Sequence, residues 1–348
     1  MLLRDMFLLR KPRQRKRWGL LVVMPVVRAL SSTSGEVRHR LRLAYDGTQF
    51  RGWQAQPGAR TVQGALEEAL ERRFGGRHIA TVGASRTDAG VHASGQVAQA
   101  DLPLGVDCDK LRYQLNRILP EDVRLLEVDV APEPEAWQKE QGFGWHILWN
   151  SVGKRYSYRL RASRSPMDPT QRLYRAHISY PAIDFDVLEE ALGLFVGKHD
   201  FRSFVNNAHN SDLAQKVTVR TMRTVELVRE NDQGDATITF ELDGALYKML
   251  RNVVGTALAV AATPSNSKQG PHHGSTVKGL STVYGHLTLD DIPLLLQGNR
   301  PRCDNPAKAA PAQGLFLDRV FFTGDDDSLG AAFPEKRDFR TSSSALEE

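Results

Sequence analysis

Alternating and helical spacings of apolar residues divide the chain into a series of predicted strands and helices. Residues 38–45 place Leu41, Leu43 and Tyr45 on one face, which predicts a strand. Thr61 suits a helix N-cap, and the apolar positions after it recur at helical spacing up to a glycine pair. By the same criteria, further strands are predicted at 123–130, 152–160, 217–229, 236–243 and 315–322, and further helices at 110–119, 185–196 and 247–261.

The order of these elements favours an α+β fold with a mainly antiparallel sheet over a doubly wound parallel sheet. Two strand–helix–strand blocks of similar length, 38–130 and 152–262, follow each other without detectable sequence repetition. In such an order, helices cover one face of the sheet. We therefore predict an N-terminal half at 35–150 and a C-terminal half at 151–324.

Three segments lack the pattern of packed elements. Residues 1–34 are rich in arginine and end in a serine-rich stretch, which predicts a targeting segment. Residues 263–282 are rich in Gly, Ser, Pro and Lys, which predicts a mobile surface insertion in the second half. Residues 325–348 are acidic and poor in apolar residues, which predicts a disordered tail.

Composition excludes several classes of protein. The chain has 348 residues, of which 41% are hydrophobic and 25% charged, as expected of a soluble globular protein. Its two cysteines, Cys108 and Cys303, are too few for a zinc site and argue against a secreted disulfide framework. A reducing compartment is the simpler interpretation.

The net charge of +5 is unevenly distributed. Residues 1–34 carry eight arginines and lysines against one aspartate, so this segment is +7 and the remainder of the chain is −2. The high isoelectric point therefore belongs to the N-terminus. If the folded part binds nucleic acid, it must use a local basic face.

Residues 1–34 are typical of a targeting segment. They are rich in arginine, nearly free of acidic residues and end in a serine-rich stretch, as organellar transit peptides do. The apolar run at 18–27 contains Pro25 and is too short to span a membrane as a helix. That run also fits the core of a signal for export or for import into a complex plastid, and residues 11–17 fit a nuclear-import patch. We predict a mitochondrial or plastid location, with nucleus or cytoplasm as the alternative, and no membrane association.

The stretch at 82–97 is the most informative part of the sequence. An apolar run ends at Gly83, a polar turn presents Asp88, and a second alternating run starts after Ser94. An isolated Asp-Ala-Gly at 88–90 is typical of a tight turn, in which Asp bonds its own backbone and Gly takes a positive φ. The polar residues around this carboxylate also fit a functional loop.

The full string RTDAGVH at 86–92 resembles the catalytic loop of the TruA family of tRNA pseudouridine synthases. Further segments are similar to other blocks of that family and occur in the same order: YDGTQFRGWQAQ at 45–56, KRYSY at 154–158, GKHDFRSF at 197–204, MLRNVVG at 249–255 and APAQGLFL at 310–317. The resemblance covers about residues 40–322, and several motifs in one order are far more specific than any one of them.

This resemblance implies a fold, a reaction and a substrate. The family fold has two similar halves with an RNA-binding cleft between them, and bacterial relatives are homodimers, so a homodimer is expected here. The implied reaction converts uridine to its C-linked isomer in the anticodon arm of tRNA, at positions 38–40. No redox step or group transfer occurs, so no cofactor is needed, and the sequence offers neither a Gly-rich nucleotide loop nor a metal-ligand cluster.

The resemblance also assigns three catalytic residues. Asp88 matches the nucleophile, which must be ionised to attack the ribose C1′ or the base C6. Tyr156 matches a tyrosine that takes a proton from carbon or stacks on the base. Arg251 matches an arginine that pairs with the nucleophile and keeps it ionised. Each has a purely structural alternative: Tyr156, like Tyr158 on the same strand face, as a core aromatic, and Arg251 as a surface residue.

Contacts to RNA are predicted at basic and polar residues near these motifs. Arg86, beside the nucleophile, is expected to hold a phosphate or to fill the space that a flipped base leaves. Other predicted RNA contacts are Arg51, Gln54, His146, Lys154 and Arg155. Solvated residues on strand edges are the alternative for the basic members of this set.

One position departs from the family pattern. Residues 145–148 read WHIL, where the family usually has Phe-His-Ala-Arg, so His146 is kept and Leu148 replaces an arginine. This departure predicts one weakened RNA contact and leaves the chemistry untouched.

Two further functions stay open at this stage. The first is the same chemistry on another organellar RNA, and the second is an RNA-binding or folding factor without activity. Retention of Asp88, Tyr156 and Arg251 together argues against the second, because a pure binding protein does not need a buried ion pair.

Overall fold

One ten-stranded sheet contains strands from both halves of the chain. The computed structural model describes residues 35–179, 181–206, 218–262, 287–298 and 300–323. Within these residues the strands are β1 (Glu36–Tyr45), β2 (Thr81–Gly83), β3 (His92–Pro103), β4 (Val123–Val130), β5 (Ser151–Ala162), β6 (Ala176–Ile178), β7 (Gly197–Asp200), β8 (Val219–Arg229), β9 (Asp235–Leu242) and β10 (Leu315–Phe322).

The strand order along the main path is β4-β1-β3-β10-β5-β9-β8-β7, with β2 paired to β3 and β6 paired to β5. The β3–β10 and β5–β6 pairs are parallel, and the remaining pairs are antiparallel. The fold is therefore α+β with a mostly antiparallel sheet, which confirms the predicted fold class.

The helices of the described residues are α1 (Val62–Arg73), α2 (Cys108–Ile118), α3 (Ala136–Glu140), α4 (Ile147–Asn150), α5 (Phe185–Gly193), α6 (Met249–Val260) and α7 (Asp291–Leu295). Leu41 and Leu43 of β1 are fully buried in the same core as Leu66 of α1 and Leu111 of α2. No helix in this part of the chain is long and apolar enough to cross a membrane.

The opposite face of β1 carries charged side chains instead of apolar ones. The arginines at 38, 40 and 42 form cross-strand ion pairs with Asp101 of β3 and with Asp129 and Glu127 of β4. The period-two alternation of β1 thus separates an apolar face, covered by helices, from a charged face.

Within the sheet, the last strand, β10, lies between β3 and β5 and so connects the strands before residue 150 to those after it. It lies parallel to the start of β3, with Phe316 opposite His92, and antiparallel to β5, with Leu317 opposite Tyr156. At Gly95 of β3 a side chain would stand 2.0 Å from the carbonyl oxygen of Asp318, so only glycine permits this approach. This insertion brings the loop that precedes β3 close to β5.

Most long elements lie where the sequence predicts them. The strands predicted at 123–130 and 315–322 have those bounds, and Thr61 caps α1 by accepting a hydrogen bond from the amide of Gly64. The helix predicted at 247–261 starts only at Met249. The segments at 1–34, 263–282 and 325–348 lie outside the described residues, and the division of the chain into halves stays a prediction.

Candidate active site

The loop at 84–91, between β2 and β3, is held in place by the segment that follows β1. The backbone amide of Trp53 donates to the carbonyl of Thr87 over 3.1 Å, and the hydroxyl groups of Tyr45 and Thr87 lie 2.8 Å apart. Trp53 itself is buried. These contacts fix the backbone immediately before Asp88.

Two glycines make this arrangement possible. Gly52 has a φ of +91°, and a side chain there would stand 2.6 Å from the carbonyl oxygen of Thr87. Gly90 has a φ of +77°, as the turn pattern predicts, and the amide of Val91 donates to the carbonyl of Asp88 over 3.2 Å. The tight turn therefore exists and presents the Asp88 carboxylate.

Helix α6 places Arg251 against this carboxylate. Nη1 of Arg251 lies 3.3 Å from Oδ2 of Asp88, while its Nε donates to the carbonyl of Ala310 over 2.7 Å. Both members of the ion pair have side chains that are only 14% exposed. The guanidinium is thus held at two points, which fixes its direction relative to Asp88.

Burial dominates the electrostatics of Asp88. It raises the pKa of this carboxyl above its ordinary value, and the positive charges of Arg251 and Lys248 only partly oppose the effect. Arg251 therefore favours the ionised form, as the resemblance implied, but does not outweigh desolvation. The result is a carboxylate that is more basic than an ordinary aspartate.

Tyr156 of β5 lines the same cavity as Asp88. Its hydroxyl lies 2.8 Å from the Ser85 hydroxyl, and its side chain is 3% exposed. Burial, together with the charge of Asp88, raises the pKa of Tyr156 to about 12 although the Ser85 contact opposes this shift. Tyr156 is therefore a neutral phenol near pH 7, in hydrogen-bond contact with Ser85.

Tyr158 is a useful contrast on the same strand. It is fully buried, and its hydroxyl donates to the carbonyl of Pro311 over 3.0 Å. The Tyr158 hydroxyl therefore has its partner inside the core. Tyr156, by contrast, lines the cavity. The structure thus separates the two tyrosines that strand alternation places on one face.

The cavity has apolar walls and charged groups at its lining. Leu246, Leu250 and Leu315 contribute apolar surface, and Arg86, Asp88, Lys248 and Arg251 contribute charge. Val253 and Leu258 of α6 are fully buried in the core, whereas Leu246 is half-buried and lines the cavity. These apolar side chains lower the local dielectric constant, which strengthens the interactions between the charged groups beside them.

Among the predicted RNA contacts, Arg86 lies at this cavity, and its side chain is exposed. Arg51 is also exposed and directly precedes Gly52, which touches the Asp88 loop. Gln54 donates from its amide to Oε1 of Gln63 over 2.7 Å, so it braces the start of α1.

The remaining three predicted RNA contacts, His146, Lys154 and Arg155, lie outside the cavity lining, as do Arg51 and Gln54. Arg155 forms an ion pair with Glu241 of β9 at 2.6 Å, on the sheet face opposite Tyr156. Its neighbour Lys154 is half-buried. These side chains are thus partly engaged by the sheet, and their contacts to RNA stay predictions.

His146 is buried, with 6% of its surface exposed, and its Nδ1 accepts a hydrogen bond from the amide of Leu148. Burial, aided by the positive charge of Arg38, lowers the pKa of His146 to about 4, so the ring is neutral. It caps α4 locally, and its RNA contact stays a prediction. Leu148 is 49% exposed, so an arginine at this position would reach solvent.

Lys248 is a residue of this site that the sequence did not indicate. It is the only non-glycine residue with a positive φ (58°) in the described part of the chain. A left-handed conformation costs a non-glycine residue roughly 1 kcal/mol. Glycine or asparagine would have signalled such a position, whereas lysine gives no signal.

The described residues contain no group of three His, Cys, Asp or Glu side chains that could hold a metal ion. The groups gathered at this cavity are one carboxylate, one phenol and three cations. This set is suited to nucleophilic attack with proton transfer on a ligand that carries negative charge.

Comparison with known proteins identifies the family of this chain. A family model described as tRNA pseudouridine synthase matches residues 43–136 and 191–323, which include Asp88 and Arg251 but not Tyr156. The chain is 35% identical over 292 residues to tRNA pseudouridine synthase A 1 of Protochlamydia amoebophila, covering 84% of this chain and 98% of that protein.

Two other relatives are likewise matched over nearly their whole length. The chain is 33% identical to tRNA pseudouridine synthase A of Acetivibrio thermocellus, with coverage of 81% of this chain and 98% of the relative. It is 32% identical to the same enzyme of Latilactobacillus sakei, with coverage of 82% and 98%. The family model covers more than half of the chain, and the relatives match over nearly their whole length. The chain therefore belongs to the TruA family of tRNA pseudouridine synthases, which are isomerases.

Proposed function

We propose that this protein isomerises uridine to pseudouridine in the anticodon arm of tRNA, at positions 38–40, with Asp88 as the nucleophile and no cofactor. The observation that carries the proposal is the Asp88–Arg251 ion pair, which lies in one cavity with the Tyr156 hydroxyl. The relatives named tRNA pseudouridine synthase A support tRNA as the substrate.

The reaction is an internal exchange of bonds. The N1–C1′ bond breaks, the base turns, and a C5–C1′ bond forms; the C5 proton leaves and N1 takes up a proton. Asp88 initiates this exchange by attacking either the ribose C1′ or the base C6, and both require the ionised carboxylate. An Asp88–C1′ bond breaks when C5 displaces the carboxylate, and an Asp88–C6 bond breaks when the carboxylate is expelled from the base after the C5–C1′ bond has formed. Because the atoms of the uridine are only rearranged, the reaction consumes no second substrate.

Arg251 and Tyr156 support different steps. The fixed guanidinium of Arg251 favours the ionised form of Asp88 in a site where burial opposes it. Tyr156 is assigned the proton transfer at carbon: a proton taken from C5 of the base is lost, whereas one taken from C2′ of the ribose returns there before product release. Its hydroxyl lies 2.8 Å from that of Ser85.

The target uridine must leave its base stack before it reaches this cavity. Extrusion costs a few kcal/mol of unstacking, which contacts to the flanking backbone must offset. Arg86 stands exposed at the cavity and is suited to hold a phosphate or to occupy the vacated space.

The proposal is tested by mapping pseudouridine at single-nucleotide resolution in a pool of unmodified tRNA transcripts treated with the purified protein. We expect new pseudouridines at positions 38–40 and unchanged signals elsewhere in the same molecules. A signal confined to other tRNA positions, or its absence, would refute the anticodon-arm assignment.

Replacing Tyr156 by Phe is expected to lower turnover by roughly 10²-fold while tRNA affinity stays near wild type, because only the proton-transferring hydroxyl is lost. Single-turnover rates at saturating enzyme separate the two quantities. The control is Tyr158→Phe, which loses a core hydrogen bond worth about 1 kcal/mol of stability but leaves turnover intact. Wild-type turnover in the Tyr156 variant would make this residue a core aromatic.

We also propose that residues 1–34 direct import into a mitochondrion or plastid, on the basis of their excess of arginine and their single acidic residue. Removing them is expected to leave turnover on purified tRNA unchanged, since they contain none of the family motifs. Fused to a fluorescent reporter, they are expected to produce organellar fluorescence. Diffuse fluorescence would exclude the transit function, and nuclear fluorescence would favour the basic patch at 11–17.

A further inference from the structure

Lys248 occupies a position that lysine adopts at a steric cost. Its backbone is left-handed, with φ 58° and ψ 8°, directly before the first residue of α6. Asparagine or glycine is accommodated more easily in this conformation. A lysine held here, at a cavity that contains the nucleophile, therefore points to a role for its side chain.

The ammonium group of Lys248 is available to a ligand. Nζ lies over the ring of Tyr247, 5.4 Å from its centre, and no carboxylate oxygen of the described residues lies within 4.0 Å of it. The guanidinium of Arg251, by contrast, is engaged by Asp88 and by the carbonyl of Ala310. Lys248 is half-buried, so its charge is less screened than that of a fully exposed lysine.

The charges around the cavity match those of an extruded nucleotide. Three cations and one carboxylate line it, and Arg251 and Asp88 offset each other. Arg86 and Lys248 remain as two positive groups. A nucleotide inside an RNA strand carries one phosphate on its 5′ side and one on its 3′ side, so two cations can each bind one flanking phosphate.

We propose that Lys248 binds a backbone phosphate next to the target uridine, opposite the phosphate held by Arg86, and thereby positions the ribose over Asp88. This inference rests on the proposed function, because it takes the ligand to be an extruded nucleotide. Lys248 is a positioning residue: it contacts the substrate backbone, whereas bond exchange remains with Asp88 and Tyr156.

The test compares Lys248→Met, which keeps an unbranched side chain only one atom shorter but removes the charge, with Lys248→Arg, which keeps the charge. Methionine is expected to raise KM for tRNA about tenfold and to leave kcat near wild type, as expected for loss of one charge-assisted contact. It should also reduce the slope of log affinity against log salt by about 0.7–0.9, the value for one phosphate contact. Arginine should restore both quantities.

Two controls separate the effect of the Lys248 charge from the effect of its backbone conformation and from that of losing any surface charge. Lys248→Gly removes the side chain and accepts the left-handed backbone, so it should reproduce the KM and salt slope of Lys248→Met without loss of thermal stability. Lys110→Met removes an exposed lysine on α2, outside the cavity lining, and should keep wild-type values of both. An unchanged salt slope in Lys248→Met, or a fall in kcat with KM unchanged, would overturn the proposal.

The salt slopes are best measured by tRNA binding in an Asp88→Asn background, where no turnover takes place. A lower slope on removal of Lys248 supports the phosphate contact even if the wild-type protein forms no pseudouridine, in which case only the proposed function fails. Pseudouridine formation by the wild type, together with an unchanged slope, refutes the role of Lys248 alone.

Discussion

Asparagine in place of Asp88 is expected to abolish pseudouridine formation, with a loss of at least roughly 10³-fold, because removal of a nucleophile costs up to about 10⁶ in other enzymes. The side chain keeps its shape, and one negative charge disappears from the cavity. Affinity for tRNA should therefore stay the same or increase slightly. Nucleoside analysis of digested tRNA measures the first quantity, and filter binding measures the second.

A matched control for this variant is Asp101→Asn. Asp101 also forms an ion pair with an arginine, through two hydrogen bonds of 2.8 and 2.9 Å from Arg38, but it lies on the charged face of the sheet. We expect this variant to retain wild-type turnover. Turnover of the Asp88 variant above the uncatalysed background would show that another group is the nucleophile.

Alanine in place of Arg251 is expected to lower turnover by roughly 10²-fold at neutral pH, comparable to the loss of one fixed donor in other active sites. The direction in which the pH–rate profile of this variant shifts follows from the burial of Asp88. Burial already raises the pKa of that carboxyl, and removal of Arg251 takes away the largest effect that opposes burial. The acid limb of the rate profile should therefore move to higher pH, because the active form is the ionised carboxylate.

The variant Arg251→Lys distinguishes charge from geometry. Lysine retains the positive charge but not the planar guanidinium that contacts Asp88 and the Ala310 carbonyl together. It should hold the acid limb close to its wild-type position and recover only part of the turnover. An acid limb that does not move in Arg251→Ala would show that Arg251 does not control the ionisation of Asp88.

The sequence predicted those elements whose hydrophobic pattern is local and long. The predicted bounds of β4 and β10 coincide with those of the structure, and Thr61 caps α1 as its side chain suggests. Short elements such as α4 and β6, with four and three residues, were missed because contacts distant in sequence stabilise them. The parallel pairing of β10 with β3 joins residues more than 200 positions apart, which no local pattern encodes.

In the candidate site, too, the residues that belong to sequence motifs were predicted, and the residue that depends on the surrounding fold was not. Asp88, Tyr156 and Arg251 were found through motifs, and the structure brings all three to one cavity. Lys248 was missed because its left-handed backbone depends on the surrounding fold and not on the residue type. Arg155 lies on the sheet face opposite Tyr156, as strand alternation implies, and its contact to RNA stays a prediction.

The charge distribution also affects how the protein holds RNA. The chain after residue 34 has a net charge of −2, so a general positive field is not available to attract tRNA. We therefore expect affinity to come from a few placed cations, and we propose Arg86 and Lys248, which line the cavity, as two of them. A salt dependence equivalent to only a few phosphate contacts is the consequence.

The central claim is that the cavity around Asp88 catalyses the isomerisation of uridine. It is tested most directly by release of tritium from tRNA labelled at C5 of its uridines, in a single-turnover reaction that contains a metal chelator. The wild-type protein should release one tritium for each pseudouridine formed, and the Asp88→Asn variant should release none while still binding tRNA. Absence of release by the wild type, or equal release by both proteins, would contradict the claim.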